Sequence, residues 1–198
     1  DQGREHPYGK LLLAPGATPR KLGFESDRIV YYRTVADYRV IREQSRKGAR
    51  AIVVGGGFIG AEIAAALTMN NVQVSMVFPE KGINARIFPG DLSEKITAYY
   101  RDKGVEMFTG VKPVEIEDDG RIFKAKLEDG SRVEGDFMVA GIGVEPHTQL
   151  AADAGLEVAN GIVVDSQCRT SNPDIYAAGD CARFHSSLLN ADLRVEHE

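Results

Sequence analysis

Hydrophobic and polar positions along this chain switch between two periods, and the switch points mark its elements. Residues 10–14 (KLLLA) form a short apolar run stopped by Pro15-Gly16, which reads as a buried strand entering a turn. Residues 17–28, with Pro19, Gly23 and mixed charge, read as a connection. Thr34 is placed to cap a helix whose Val35, Tyr38 and Ile41 share one face, with Gly48 ending it. A second apolar run, 51–54, passes directly into Gly55-Gly56-Gly57-Phe58-Ile59-Gly60 and a helical stretch over 61–69. The β-branched residues of 72–78 then predict another strand.

Asp91 with Glu94 three residues later resembles a capping box, and Leu92, Ile96, Tyr99 and Tyr100 follow helical spacing as far as Gly104. Residues 105–108 are a third strand candidate. Between 111 and 133 the pattern changes to strict alternation, punctuated by Asp119-Gly120 and Asp129-Gly130, which predicts an antiparallel meander at about 111–135. Residues 136–140 are apolar again and end in Gly141-Ile142-Gly143; 161–165 and 174–178 are further short strands. The expectation is an α/β fold with a mainly parallel sheet and an inserted antiparallel meander.

Composition narrows the function classes. The 198 residues include 43% hydrophobic and 27% charged positions, enough for a real core. A net charge of −5 gives no basic face for nucleic acid, so no nucleic-acid partner is expected. No apolar run approaches the ~18 residues of a membrane helix, so no membrane span is expected. The N-terminal DQGRE does not resemble a signal peptide. Cys168 and Cys181 lack CxxC spacing, and His6, His147 and His185 lack ligand spacing, so neither a disulfide framework nor a zinc site is expected. Free thiols lead to the expectation of a cytoplasmic setting, or a mitochondrial one if a targeting segment has been removed.

The strongest motif is G-x-G-x-x-G at Gly55, Gly57 and Gly60, with a strand before it and a helix after. In a Rossmann-type unit, the first glycine allows the tight turn and the second lets the backbone approach a pyrophosphate. The third lets helix and strand pack closely, so that the helix N-terminus faces the phosphates. Glu80 lies 20 residues after Gly60, where an acid accepts from the adenosine ribose hydroxyls and repels a 2′-phosphate. NAD is therefore favoured over NADP, a preference that Lys81 next door softens.

A second motif lies near the C-terminus. Pro173-Asp174-Ile175-Tyr176-Ala177-Ala178-Gly179-Asp180-Cys181-Ala182 puts the Asp180 carboxylate at a strand's carboxyl end, where ligands bind in open α/β sheets. Together with the 11–20 segment (LLLAPGATPR), the glycine fingerprint and Gly141-Ile142-Gly143-Val144-Glu145-Pro146, it resembles the FAD-dependent pyridine nucleotide-disulfide oxidoreductase superfamily. Phe78-Pro79-Glu80, Ala85-Arg86-Ile87-Phe88 and Arg194-Val195-Glu196-His197 are most similar to its apoptosis-inducing-factor-like and monodehydroascorbate-reductase-like branch. The resemblance covers essentially the whole chain. It implies a truncated three-layer FAD/NAD(P)-binding fold: 1–33 a remnant of an FAD domain, 34–147 an NAD(H)-binding domain, and 148–198 the return segment. The fragment alone is expected to be inactive.

By the same resemblance, Asp180 holds the flavin's ribityl and phosphate region and Arg20 lies beside the flavin, while Glu196 and His197 sit near the reacting rings. Phe58, Ile59 and Glu62 flank the nicotinamide; Glu80 and Lys81 are adenosine-side contacts; Gly143 is a backbone contact beside the dinucleotide. The implied cofactors are NAD(H) and, in the full-length protein, FAD. The implied activity is hydride transfer from NADH to flavin and on to an acceptor: a ferredoxin or rubredoxin, a quinone, oxygen or monodehydroascorbate. The alternative is a non-catalytic NADH-sensing module of the apoptosis-inducing-factor type. Strand edges left bare along 11–14 and 175–178 lead to the expectation of a dimer through residues 1–20 and 170–198.

Overall fold

The computed structural model describes residues 3–196. In chain order the first elements are β1 (Leu11–Leu13), β2 (Ala17–Pro19), β3 (Ile29–Val30), α1 (Val35–Gln44) and β4 (Arg50–Val54). There follow α2 (Phe58–Met69), β5 (Gln73–Phe78), α3 (Gly90–Asp102) and β6 (Glu106–Thr109), then β7 (Pro113–Asp118), β8 (Phe123–Leu127), β9 (Arg132–Gly135) and β10 (Phe137–Ala140). The last part holds β11 (Val144–Pro146), α4 (Gln149–Asp153), β12 (Ile162–Val164), β13 (Ile175–Ala177), the 3₁₀ turn Gly179–Cys181, β14 (Ala182–Ser186) and β15 (Ala191–Leu193). The chain forms two compact units, Pro19–Gly143 and the combination of Asp1–Thr18 with Val144–Glu198.

The Pro19–Gly143 unit is built on a five-stranded parallel sheet ordered β3-β10-β4-β5-β6. Successive side chains of a strand point to opposite faces, and the sequence exploits this. Ala51, Val53, Val74, Met76, Phe78, Phe137 and Val139 join one core cluster with Ala61, Ala64 and Leu67 of α2. Ile52, Val54, Val77, Met138 and Ala140 join the other, with Phe123, Ala125, Leu127 and Val133 of the antiparallel β7-β8-β9 meander. The layers are thus helices, sheet and meander. Alternation in β8, with Phe123, Ala125 and Leu127 buried and the two lysines between them exposed, is what presses the meander onto the sheet.

The second unit is made of small pieces. β1 pairs in parallel with β13 from Leu11↔Ile175 to Leu13↔Ala177, β2 pairs with β11, and β12-β14-β15 form a three-stranded sheet. Leu13, Ala151, Leu156, Ile162, Val164, Ile175, Ala177 and Cys181 form its core. On the bare strand edge expected along 11–14, Leu12 is 61% exposed while Leu13 is buried.

Several local expectations need correction. The capping box does not sit at Asp91: α3 begins at Gly90 with Pro89 as N-cap and no side-chain cap. The Pro89 carbonyl accepts from the Leu92 and Ser93 N–H groups, while Ser93 and Thr97 are drawn inward to hydrogen-bond the Ile83 backbone. The capping box is real at Thr34, whose partner is Asp37, and that helix ends at Gln44, short of Gly48. The expected connection at 17–28 starts with β2, and residues from Pro19 onward group with the parallel sheet rather than with an N-terminal remnant, because β3 pairs with β10.

Asp118 at the end of β7 ties this unit together. Burial alone would push its carboxyl up. Hydrogen bonds from Ser26 Oγ and the Gly120 N–H, with the charge and hydrogen bond of Arg28, outweigh that and hold it below the usual aspartate range. Stability from a depressed carboxyl is present at neutral pH and lost as pH falls through its lowered pKa. Asp118→Asn is expected to destabilise the fold by about 1–2 kcal/mol at pH 7. The difference should shrink in urea unfolding as pH drops below the ordinary aspartate value of about 3.9. Phe123→Ala, which empties a fully buried site between meander and sheet, should cost about 3–5 kcal/mol at any pH.

Candidate functional site

Three neighbouring parallel strands, β10, β4 and β5, end on the same edge of the sheet. The residues that follow them, Gly141–Gly143 after β10, Gly55–Gly57 after β4 and Pro79-Glu80 after β5, line one groove of about 220 Å³ with Asn84, Arg86 and Ile87. From β4 the chain runs outward through β5 and β6 and then returns to β10 on the other side of β4, so the strand order reverses between β4 and β10 and leaves a crevice at their ends.

Backbone contact sets the groove's floor. Gly55 has φ +122, and a Cβ there would stand 2.2 Å from the Gly141 carbonyl oxygen. A Cβ on Gly60 would stand 2.1 Å from the Gly55 carbonyl oxygen. Both glycines are therefore demanded by the fold: the chain after β10 lies against Gly55, and α2 begins at backbone distance from the end of β4. Gly57 differs. It is the N-cap of α2, with no side-chain cap and, beyond its chain neighbours, nothing within 4 Å of the Cβ it lacks. Its small size is not explained by packing; it leaves space in front of a helix N-terminus, whose N–H groups and dipole favour an anion.

The other expected residues take distinct places. Glu80 lies in the groove, its side chain 19% exposed, paired with Arg86 at 2.5 Å. The cation meeting Glu80 is thus Arg86, six residues on, rather than its neighbour Lys81, which is exposed. Phe58, 44% exposed, packs edge-on against Phe88 with ring centroids 5.9 Å apart. Ile59 is half-buried next to Gly141. Glu62 is exposed on α2, and Tyr100, whose hydroxyl donates to the Ala61 carbonyl, is shifted upward by burial and by Glu62's charge. Gly143 lines the groove, and its carbonyl accepts the Arg20 N–H at 2.9 Å.

In the other unit, Asp180 is buried in the turn after β13, and Glu196 is exposed and paired with Arg194. His197 lies outside the described residues. The structure therefore gathers Gly55, Gly57, Glu80 and Gly143 in one groove and joins Arg20 to it through the Gly143 backbone. Residues that sequence reasoning left out of the site include Asn84, Arg86 and Ile142. Asn84 adopts φ 53, and its N–H donates to the Gly56 carbonyl at 2.7 Å, which folds the 82–88 loop against the glycine turn. Asparagine is among the few residues at ease in that conformation, a signal present in the sequence but weak. Among the described residues, no cluster of His, Cys, Asp and Glu is arranged to hold a metal ion, and no helix is long and apolar enough to cross a membrane.

A strand-end groove with a glycine turn and an acid opposite defines a dinucleotide-type site, and the comparisons give the family. Residues 1–194 match the model of the pyridine nucleotide-disulphide oxidoreductases, and the chain belongs to that family. It is 37% identical over 205 residues to monodehydroascorbate reductase of Solanum lycopersicum, across 98% of this chain and 47% of the relative. Its fold is similar to putidaredoxin reductase in a covalent complex with putidaredoxin, at TM-score 0.92 and 36% identity over 99% of this chain and 49% of that one. It is also similar to the water-forming NADH oxidase of Lactobacillus brevis bound to NADH, at TM-score 0.88 and 28% identity over 97% of this chain and 43% of that one. The chain spans about half the length of the curated relatives it matches.

The two kinds of glycine separate experimentally. Gly60→Ala should destabilise the fold by about 3 kcal/mol, since a backbone carbonyl stands in the way. Gly57→Ala should change stability by no more than about 1 kcal/mol in urea unfolding, because open space receives the methyl group.

Proposed function

We propose that this chain is the NADH-binding part of an FAD-dependent oxidoreductase, in which NADH reduces the flavin and the flavin passes electrons to an acceptor. The observation that carries the reading is the unexplained space at Gly57, before an uncapped helix N-terminus and in the groove that holds Glu80. The reductase and NADH oxidase relatives support it.

In this reading the dinucleotide's pyrophosphate is received by the N-terminus of α2 over Gly57. Glu80 accepts from the adenosine ribose hydroxyls, flanked by Lys81. Phe58, Ile59 and Glu62 border the nicotinamide, and Gly143 offers backbone contacts. Arg20, Asp180, Glu196 and His197 serve the flavin. Bound flavin supplies the conversion of a two-electron donor's hydride into electrons for an acceptor. The chain's own residues bind and orient, and no side chain is assigned a proton-transfer role. Cys181 stays a packing residue, since burial pushes its thiol up and makes the thiolate scarce. The acceptor falls among an organic radical such as monodehydroascorbate, an iron–sulfur protein, a quinone and oxygen.

Calorimetric titration with NADH and NADPH tests this reading. NADH should bind saturably and more tightly than NADPH. Gly57→Ala should weaken NADH binding, and Glu80→Gln should narrow the preference for NADH by about tenfold, or ~1.4 kcal/mol. Absence of a saturable signal with either nucleotide would overturn it.

A further inference from the structure

Arg194 follows β15 and joins two parts of its own unit. Its side chain retains only 10% exposure. One terminal nitrogen donates to the Asp180 carbonyl oxygen at 3.2 Å and the other to Glu196 Oε1 at 2.9 Å. Its Nε–H is buried without an acceptor. The stem runs past Gly161, where a Cβ would come within 3.2 Å of Arg194 Cδ and 3.1 Å of the Cys181 carbonyl oxygen. The missing side chain at 161 makes room for this arginine.

As a stability device the arrangement is poor. A guanidinium removed from water forfeits several kcal/mol of hydration. Here that loss is met by one carboxylate, itself 37% exposed, and one neutral carbonyl, while an unpaired Nε–H adds its own desolvation penalty. An apolar side chain of similar volume would serve the core better. What an apolar residue cannot supply is a rigid planar fork that fixes a backbone carbonyl and a separate carboxylate relative to each other.

We infer that Arg194 is a positioning residue for the flavin seat. It holds the Asp180 turn and the Glu196 carboxylate in one fixed arrangement, and through them it sets how tightly FAD is retained. This rests on the proposal that Asp180 and Glu196 serve the flavin. The ammonium of a lysine would keep the charge but, as a single point donor, would not span both acceptors.

The test uses the whole flavin-loaded protein and its Arg194→Met, Arg194→Lys and Glu196→Gln variants. FAD affinity is read from the fluorescence of released flavin, the flavin environment from its visible absorption bands, and the integrity of the Pro19–Gly143 unit from NADH affinity. Both Arg194 variants should release FAD about tenfold more readily, with altered bands and NADH affinity within about twofold of the wild type. Glu196→Gln keeps an acceptor for the fork and should show a smaller loss. If Arg194→Met does not fold, Arg194→Lys decides. A lysine variant that matches the wild type in FAD affinity and spectrum overturns the inference, and so does a methionine variant that retains FAD unchanged. A wild type that takes up no FAD brings down the proposed function itself, and the inference with it.

Discussion

Gly55 stands where two other backbones leave no room for side chains, and the Pro19–Gly143 unit is organised around those contacts. Gly60 faces Gly55 from the helix, and Gly141 closes on it from the neighbouring strand end. Because α2 lies this close to β4, its first turn opens into the crevice between strand ends instead of standing above it. The small buried residues Ala61 and Ala64 continue the packing of the helix on the sheet, in one core cluster with Ala51 and Val53 of β4. Depth of the groove, direction of the helix dipole and the meeting of three strand ends thus share one steric cause.

The 82–88 loop builds on that floor by polar contacts. Asn84 anchors the loop to Gly56, Ser93 and Thr97 secure Ile83 from α3, and Arg86 reaches the Glu80 carboxylate. Glu80 is therefore partly neutralised before any ligand arrives.

Much of this was legible in the sequence. The two-residue alternation of β8 follows from its having core on one face, the continuous apolar runs of β4 and β10 from core on both, and the glycine fingerprint has a fixed spacing because its geometry does. What was not legible depends on tertiary contact. β2, β3 and β11 are two or three residues long, too short to express a period. β14 and β15 bury few side chains and exist through their pairing with each other and with β12. Pro89 displaced the α3 start because a carbonyl, not the Asp91 side chain, receives the first N–H groups. In the site, Glu80 could be placed by counting from Gly60. The cation opposite could not, because which of Lys81 and Arg86 turns toward the acid is decided by the fold of the loop between them.

The pairing order also imposes a timetable. β4 is flanked by β5 and β10, and β10 lies beyond the helix α3 and the entire meander; β3 must wait for the same β10 to find its place. The other unit joins segments far apart in sequence, since Leu11–Leu13 pairs with Ile175–Ala177. Contacts so distant in sequence close large loops before they return any free energy, which slows folding. During synthesis at the ribosome, Leu11–Leu13 emerges about 160 residues before Ile175–Ala177 and stays without that partner strand until the later segment has followed. For that interval Leu11-Leu12-Leu13 is a natural substrate for chaperones.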